Sequence, residues 1–429
     1  MRLVAETPNE MLSYSNDFLF GINMKLKDLE VFVVGNKPPF IGGKYFQFVK
    51  LTTKCGVIGY GECYAASVGP SAMTSVIKDV FERYLLDEDP RNIELMFRKV
   101  YSSGFSQRPD PTVIGAFSGM EIACWDIIGK SYDQPIYNLL GGQVNERLRS
   151  YSYLYPSDDE DPATFYSDPI ASAAVAEKYV KLGFTAVKFD PAGPYTIFDG
   201  HQPSMSDLER SERFCKEIRK AVGYKADLLF GTHGQFTTSG ACRLARKIEP
   251  YDPLWFEEPV PPDNPEEMAK VAKSTKIPIA TGERLTTKQE FSQVLKFGAA
   301  NILQPALGRV GGIWEAKKIA VLAETYNASM APHLYAGPLE WAANIHFGAS
   351  IPNLLIIESL KTGEGFQRDL ITKEILWEDG FIKPPEGPGL GIELNEVVAK
   401  SNPYKLDKLH LEMSEEMIMY NKENKFAGG

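Results

Sequence analysis

The sequence predicts an α/β protein: a closed (β/α)₈ barrel of the TIM type carrying an α+β capping domain built from both ends of the chain. Between about residues 148 and 360, short apolar runs alternate with amphipathic stretches, the rhythm of a parallel sheet buried on both faces. Those runs number eight, the count that closes such a barrel. The flanks read differently, as alternating strands near the start and short strands in a Pro- and Gly-rich tail.

In order along the chain, residues 24–34 and 46–52 alternate as strands, and Thr53-Lys54-Cys55-Gly56 supplies the hairpin turn into 57–60. Residues 70–140 read as helical. The barrel strands fall at 149–154, 186–190, 228–231, 254–257, 277–281, 301–304, 328–331 and 354–358. Helix starts lie between them. Ser206 with Glu209 and Thr287 with Glu290 have capping-box spacing, and Asn264 precedes Pro265 as a cap before the first helical residue. Neither the hairpin turns of a sandwich nor the Gly-rich loop of a doubly wound sheet is present. Residues 375–382 and 391–394 predict short strands around the turn cluster at 384–389, so that head and tail pair into one cap. The resulting boundaries are 1–147 for the N-terminal cap, 148–365 for the barrel and 366–429 for the segment returning to the cap.

Of 429 residues, 44% are hydrophobic and 24% charged, which excludes disordered, fibrous and membrane classes. The net charge of −10 disfavours nucleic acid and anionic membranes as partners. Five dispersed cysteines without a CxxC pair read as free thiols of a reducing compartment. Acidic residues interrupt the first ten positions, and the apolar runs fall short of a membrane span, so a cytoplasmic location is expected.

Barrel enzymes place their chemistry where strands end. Here Lys188, Asp190, His233, Glu257, Glu258, Glu283, Gln304, His333 and Glu358 fall at strand ends. Glu257 and Glu283 finish neighbouring strands and offer oxygens for Mg²⁺, which commonly takes one or two protein carboxylates; solvated loop acids paired with Arg284 are the bland alternative. Lys188 and Asp190 are two apart and so face the same side of a strand, as a salt bridge or as catalytic groups. His233 and His333 would face one mouth as a proton donor and acceptor, or sit as hydrogen-bonded core residues. The remaining histidines, His201, His346 and His410, read as structural or surface residues.

The ordered segments 56–62, 123–130, 135–142, Phe256-Glu257-Glu258-Pro259, Thr281-Gly282-Glu283-Arg284, Ile302-Leu303-Gln304-Pro305, Gly311-Gly312 and 387–391 resemble the enolase superfamily. The likeness is to its mandelate racemase, muconate lactonizing enzyme and sugar-acid dehydratase branch, over nearly the whole chain. It implies an enolase-like modified barrel and a Mg²⁺-assisted removal of the proton α to a carboxylate, through an enediolate. By that resemblance Glu257 and Glu283 are metal ligands, His333 is the base and His233 protonates the departing hydroxyl. Glu358 holds the substrate carboxylate with Lys188 nearby, and the product of an aldonate or aldarate is a 2-keto-3-deoxy acid. A homo-oligomer is implied too.

Two positions depart from the family pattern. Gly231 stands where a first metal-ligating acid belongs, with Asp190, Glu258 or a water as substitutes. Ala306 stands where an Asp orients the base, leaving Gln304 or Glu358 to compensate. The alternatives are therefore a cycloisomerase or epimerase of a sugar acid or its lactone, and a non-catalytic family member. Residues 36–44 and 64–70 are the expected substrate-facing cap loops.

Overall fold

The computed structural model describes residues 23–64, 67–156 and 162–415; the acidic first ten positions lie outside this set. Strands β1 (Leu26–Gly35), β2 (Tyr45–Thr53) and β3 (Ile58–Cys63) form an antiparallel meander. With the helices that follow, they enclose a separate apolar core around Met73, Met96, Phe97 and Phe117. The helix Pro111–Ser131 corrects the reading that no segment approaches a membrane span: it is long and apolar enough. Its apolar window is 89% buried inside the protein, with Asp110 capping Thr112 and Val113 at its start.

Eight parallel strands follow: β4 (Leu148–Tyr153), β5 (Ala186–Phe189), β6 (Asp227–Phe230), β7 (Trp255–Glu257), β8 (Ile279–Thr281), β9 (Ile302–Leu303), β10 (Ser329–Met330) and β11 (Ile357–Glu358). Each pairs with the next from β4 to β10. The ring closes because β11 pairs with β4, and Leu354 bridges Met330. The interior holds Tyr151, Ala186, Leu229, Trp255, Ala280, Ile302, Ala331 and Ile356, one residue from each strand or its continuation. Mixing large and small side chains lets this layer interdigitate without a void, and Tyr151 meets Trp255 edge to face at 5.4 Å. That layer is the floor of the mouth.

Three local expectations shift. The capping box belongs to Ser204 and Asp207 rather than Ser206 and Glu209. Glu290 bonds back to the amide of Thr286, one residue before the expected cap. Residues 391–394 form no strand, and the hairpin of β12 (Leu376–Glu378) with β13 (Phe381–Lys383) adds antiparallel to β4 instead of joining the cap. The chain does return to the cap afterwards: Leu390 donates to Asp126, and Glu396 accepts from Lys50 and from Tyr60. The five cysteines are free thiols.

Cap and barrel are joined by a buried carboxylate. Glu62, on β3, accepts from the amides of Gly337 at 2.6 Å and Glu340 at 3.0 Å. It thereby caps the helix Pro338–Ala349, whose Asn344 holds the carbonyl of His333.

Candidate active site

Lys188 ends up at the mouth because β5 alternates, and its ammonium lies 2.7 Å from Glu257 and 3.9 Å from Glu358. Burial alone would lower its pKa; Glu257 and Glu358 outweigh that and raise it well above the ordinary value. The other oxygen of Glu257 accepts from the indole of Trp255 at 2.9 Å. Glu358 takes the amide of Leu334 at 2.7 Å.

The two histidines meet on one acid. Nε2 of His233 lies 3.3 Å from Oε1 of Glu283, and Nε2 of His333 lies 3.4 Å from its Oε2. Nδ1 of His233 faces Asp190 at 3.4 Å, and Asp190 accepts from the Tyr195 hydroxyl at 2.7 Å. The same geometry drives the imidazoles apart electrostatically. For His333, burial lowers the pKa to about 3 against the opposing pull of Glu283. For His233, burial acts the same way, but Glu283 and Asp190 outweigh it and the pKa rises. Burial would raise Glu283, yet His233, His333 and Lys188 hold it well below the usual carboxylate range.

All seven residues singled out for chemistry or metal binding, Lys188, Asp190, His233, Glu257, Glu283, His333 and Glu358, thus belong to one connected mouth. Glu258 does not fill the place left by Gly231, because its carboxylate is tied to Arg284 at 2.7 Å. The carboxylate of Asp190 occupies the space beside Gly231: a Cβ on Gly231 would stand 1.6 Å from its Oδ1. Neither Gln304 nor Glu358 makes good the loss at Ala306, since Nδ1 of His333 has no hydrogen-bond partner among the described residues. Sequence reasoning missed Tyr195, and it missed Arg309, which stacks on Tyr64 at 4.1 Å and donates to the Glu283 carbonyl. Neither carries a periodic signal, because both lie beyond strand ends. His410, expected in a structural or surface role, is 5% exposed and packs at the mouth.

Five acids, Asp190, Glu257, Glu258, Glu283 and Glu358, here surround two fixed cations, Lys188 and Arg284. That surplus of negative charge away from water favours a cation. Oδ1 of Asp190 and Oε2 of Glu283 are buried without hydrogen bonds, and hard oxygens of this kind suit a divalent ion such as Mg²⁺. Among the described residues no group of three potential ligands is already gathered. Each oxygen of Glu257 already accepts one hydrogen bond, from Lys188 and from Trp255.

The barrel matches the enolase C-terminal domain-like family over residues 171–398, and the cap matches the mandelate racemase/muconate lactonizing enzyme N-terminal domain over 41–141. This chain belongs to the enolase superfamily, in the mandelate racemase/muconate lactonizing enzyme branch. It is 32% identical to a D-xylonate dehydratase of Haloferax volcanii, over 86% of this chain and 87% of that one. It is 34% identical to a D-gluconate/D-galactonate dehydratase of Picrophilus torridus, over 81% and 86% respectively. The crystal structure of a mandelate racemase/muconate lactonizing enzyme-like protein from Roseovarius sp. TM1035 shares 60% identity and a TM-score of 0.91, covering 92% of this chain and all of that one. The protein is accordingly an enzyme of a family that generally uses a divalent metal.

Proposed function

We propose that this enzyme is a Mg²⁺-dependent dehydratase of an acid sugar, an aldonate or aldarate, and that its product is a 2-keto-3-deoxy acid. The observation that carries the reading is geometric: the imidazoles of His233 and His333 converge at one mouth, their Nε2 atoms 3.3 and 3.4 Å from the two oxygens of Glu283. Two titratable groups driven apart in one mouth make an acid and a base. His333, kept neutral, takes the α-proton at Nε2. His233, whose hold on its proton Glu283 and Asp190 strengthen, gives a proton to the β-hydroxyl as it leaves as water, and the enol then tautomerises. Lys188 holds the substrate carboxylate by charge, with Glu358 beside it, 3.9 Å from the ammonium. Glu257 and Glu283 would hold the ion, with Asp190 beside them. When bound, the ion supplies Lewis-acid stabilisation of charge on the substrate carboxylate. The dehydratases among the relatives support the substrate class. A cytoplasmic homo-oligomer is part of this reading.

The test is to incubate the protein with Mg²⁺ and a panel of aldonic and aldaric acids and to assay 2-keto acids, while measuring bound metal. We expect 2-keto acid from at least one member. Turnover without loss of water would favour a cycloisomerase or epimerase, and silence across the panel with metal bound would overturn the reading.

A further inference from the structure

The C-terminal segment beyond the helix Glu396–Ser401 runs from the cap across to the barrel mouth, and it is tied down along its length. The carbonyl of Asn402 accepts from Gly35, Tyr404 donates to Val33, and the Tyr404 ring stacks on Tyr45 at 4.5 Å. Asp407 accepts from the amide of Ser71 at 3.0 Å.

His410 then enters a cage of three tyrosines, Tyr45 at 4.9 Å, Tyr64 at 5.6 Å and Tyr335 at 5.0 Å between ring centroids. Its Nε2 lies 3.3 Å from the Tyr335 carbonyl. Gly43 makes room for it, since a Cβ there would stand 2.1 Å from its ring. Four residues later the amide of Ser414 donates to the Tyr195 carbonyl, and the Ser414 carbonyl accepts from Ile197, both at 3.0 Å.

Each of these anchor points backs a different histidine. Tyr64, held by His410, meets the ring of His333 at 6.2 Å. Tyr195, held by Ser414, meets the ring of His233 edge-on at 4.7 Å and donates to Asp190. A substrate closed into this mouth is therefore bounded by tyrosines whose places depend on the tail.

We propose that His410 and Ser414 are positioning residues of the reaction: through Tyr64 and Tyr195 the tail holds the base and the acid separately. The catalytic part of this rests on the roles proposed above for His333 and His233. An independent hold on each histidine means that the two halves of the reaction respond to different tail substitutions. Exchange of the α-proton needs only the base, whereas loss of water needs both groups.

The test uses the full chain with Mg²⁺ and a turned-over acid sugar. In His410→Ala, α-proton exchange with D₂O falls about tenfold to a hundredfold, the scale of a misplaced reacting group, and His410→Gln, which keeps a donor toward Tyr335, recovers most of it. In Ser414→Pro, which removes the amide donor, exchange persists while elimination falls by a similar factor. Hydrogen exchange read by mass spectrometry supplies a measure free of activity: amides of 195–199 are exposed only by Ser414→Pro, and those of 40–45 only by His410→Ala. Equal losses of both half-reactions in both variants would overturn the separate holds. Protection unchanged from the parent would overturn the tail's role altogether. A parent that turns over no acid but shows the expected protection pattern removes the functional reading and leaves the tail as the support of both tyrosines.

Discussion

A Cβ on Gly231 would stand 1.6 Å from Oδ1 of Asp190. The two residues follow neighbouring strands, joined by the amide of Gly231 donating to the carbonyl of Phe189 at 2.9 Å. The carboxylate of one therefore occupies the volume that a side chain on the other would need. Tyr195 and His233 hold it there, so it cannot simply swing aside.

Gly231→Ala should accordingly destabilise the fold by about 1–3 kcal/mol, the usual cost of overpacking. In an Asp190→Gly background the same change should cost far less, because the clashing oxygen is gone. Urea unfolding of the two single variants and the double variant gives the coupling energy directly. Additive effects would mean that the two residues do not compete for this space.

Lys188 and Glu257 form an ion pair almost wholly removed from water. Replacing Lys188 with Met leaves Glu257 buried without its cation and should cost about 3–5 kcal/mol. Pairing that change with Glu257→Gln removes the stranded charge and should recover most of the loss. Denaturant unfolding at neutral pH measures both; a loss below about 1 kcal/mol for Lys188→Met would contradict the pairing.

The acid and base assignments separate by isotope exchange. His333→Asn should abolish α-proton exchange and elimination together, whereas His233→Asn should keep exchange and lose elimination by about 10²–10⁴-fold. Deuterium uptake into unreacted substrate, followed by NMR, reads the first process independently of product. The opposite pattern would reverse the two roles.

Glu62 links stability to pH. Burial first, and the neighbouring Glu340 second, raise its carboxyl from 4.5 to about 8. The folded chain therefore holds a proton that the unfolded chain has lost between those values. Its contribution is complete below about pH 4.5 and disappears as pH rises through about 8, at a slope of at most about 1.4 kcal/mol per pH unit. Chemical denaturation between pH 6 and 9 should show stability falling, with a shallower fall in Glu62→Gln. Parallel curves for the two proteins would show that Glu62 titrates normally.

The barrel was legible in the sequence because burial on both faces imposes apolar runs, and eight of them close a ring whatever the loops contain. The strand ends followed from that count, and so did the polar residues standing on them, from Lys188 to Glu358. The capping residues of two helices and the destination of the hairpin at 376–383 were less legible, since a local pattern does not say which neighbour will accept it.

What the amino-acid order determined by itself was which side chains reach the mouth, because alternation along a strand is local chemistry. Only the assembled fold decided their partners: that Asp190 takes the space at Gly231, that Lys188 spends its charge on Glu257, and that both imidazoles share Glu283. It also brought His410, more than 340 residues from Tyr64 in the chain, into ring contact with it. Such contacts depend on the geometry of a closed ring and its cap, and no periodicity within one segment encodes the distance between two.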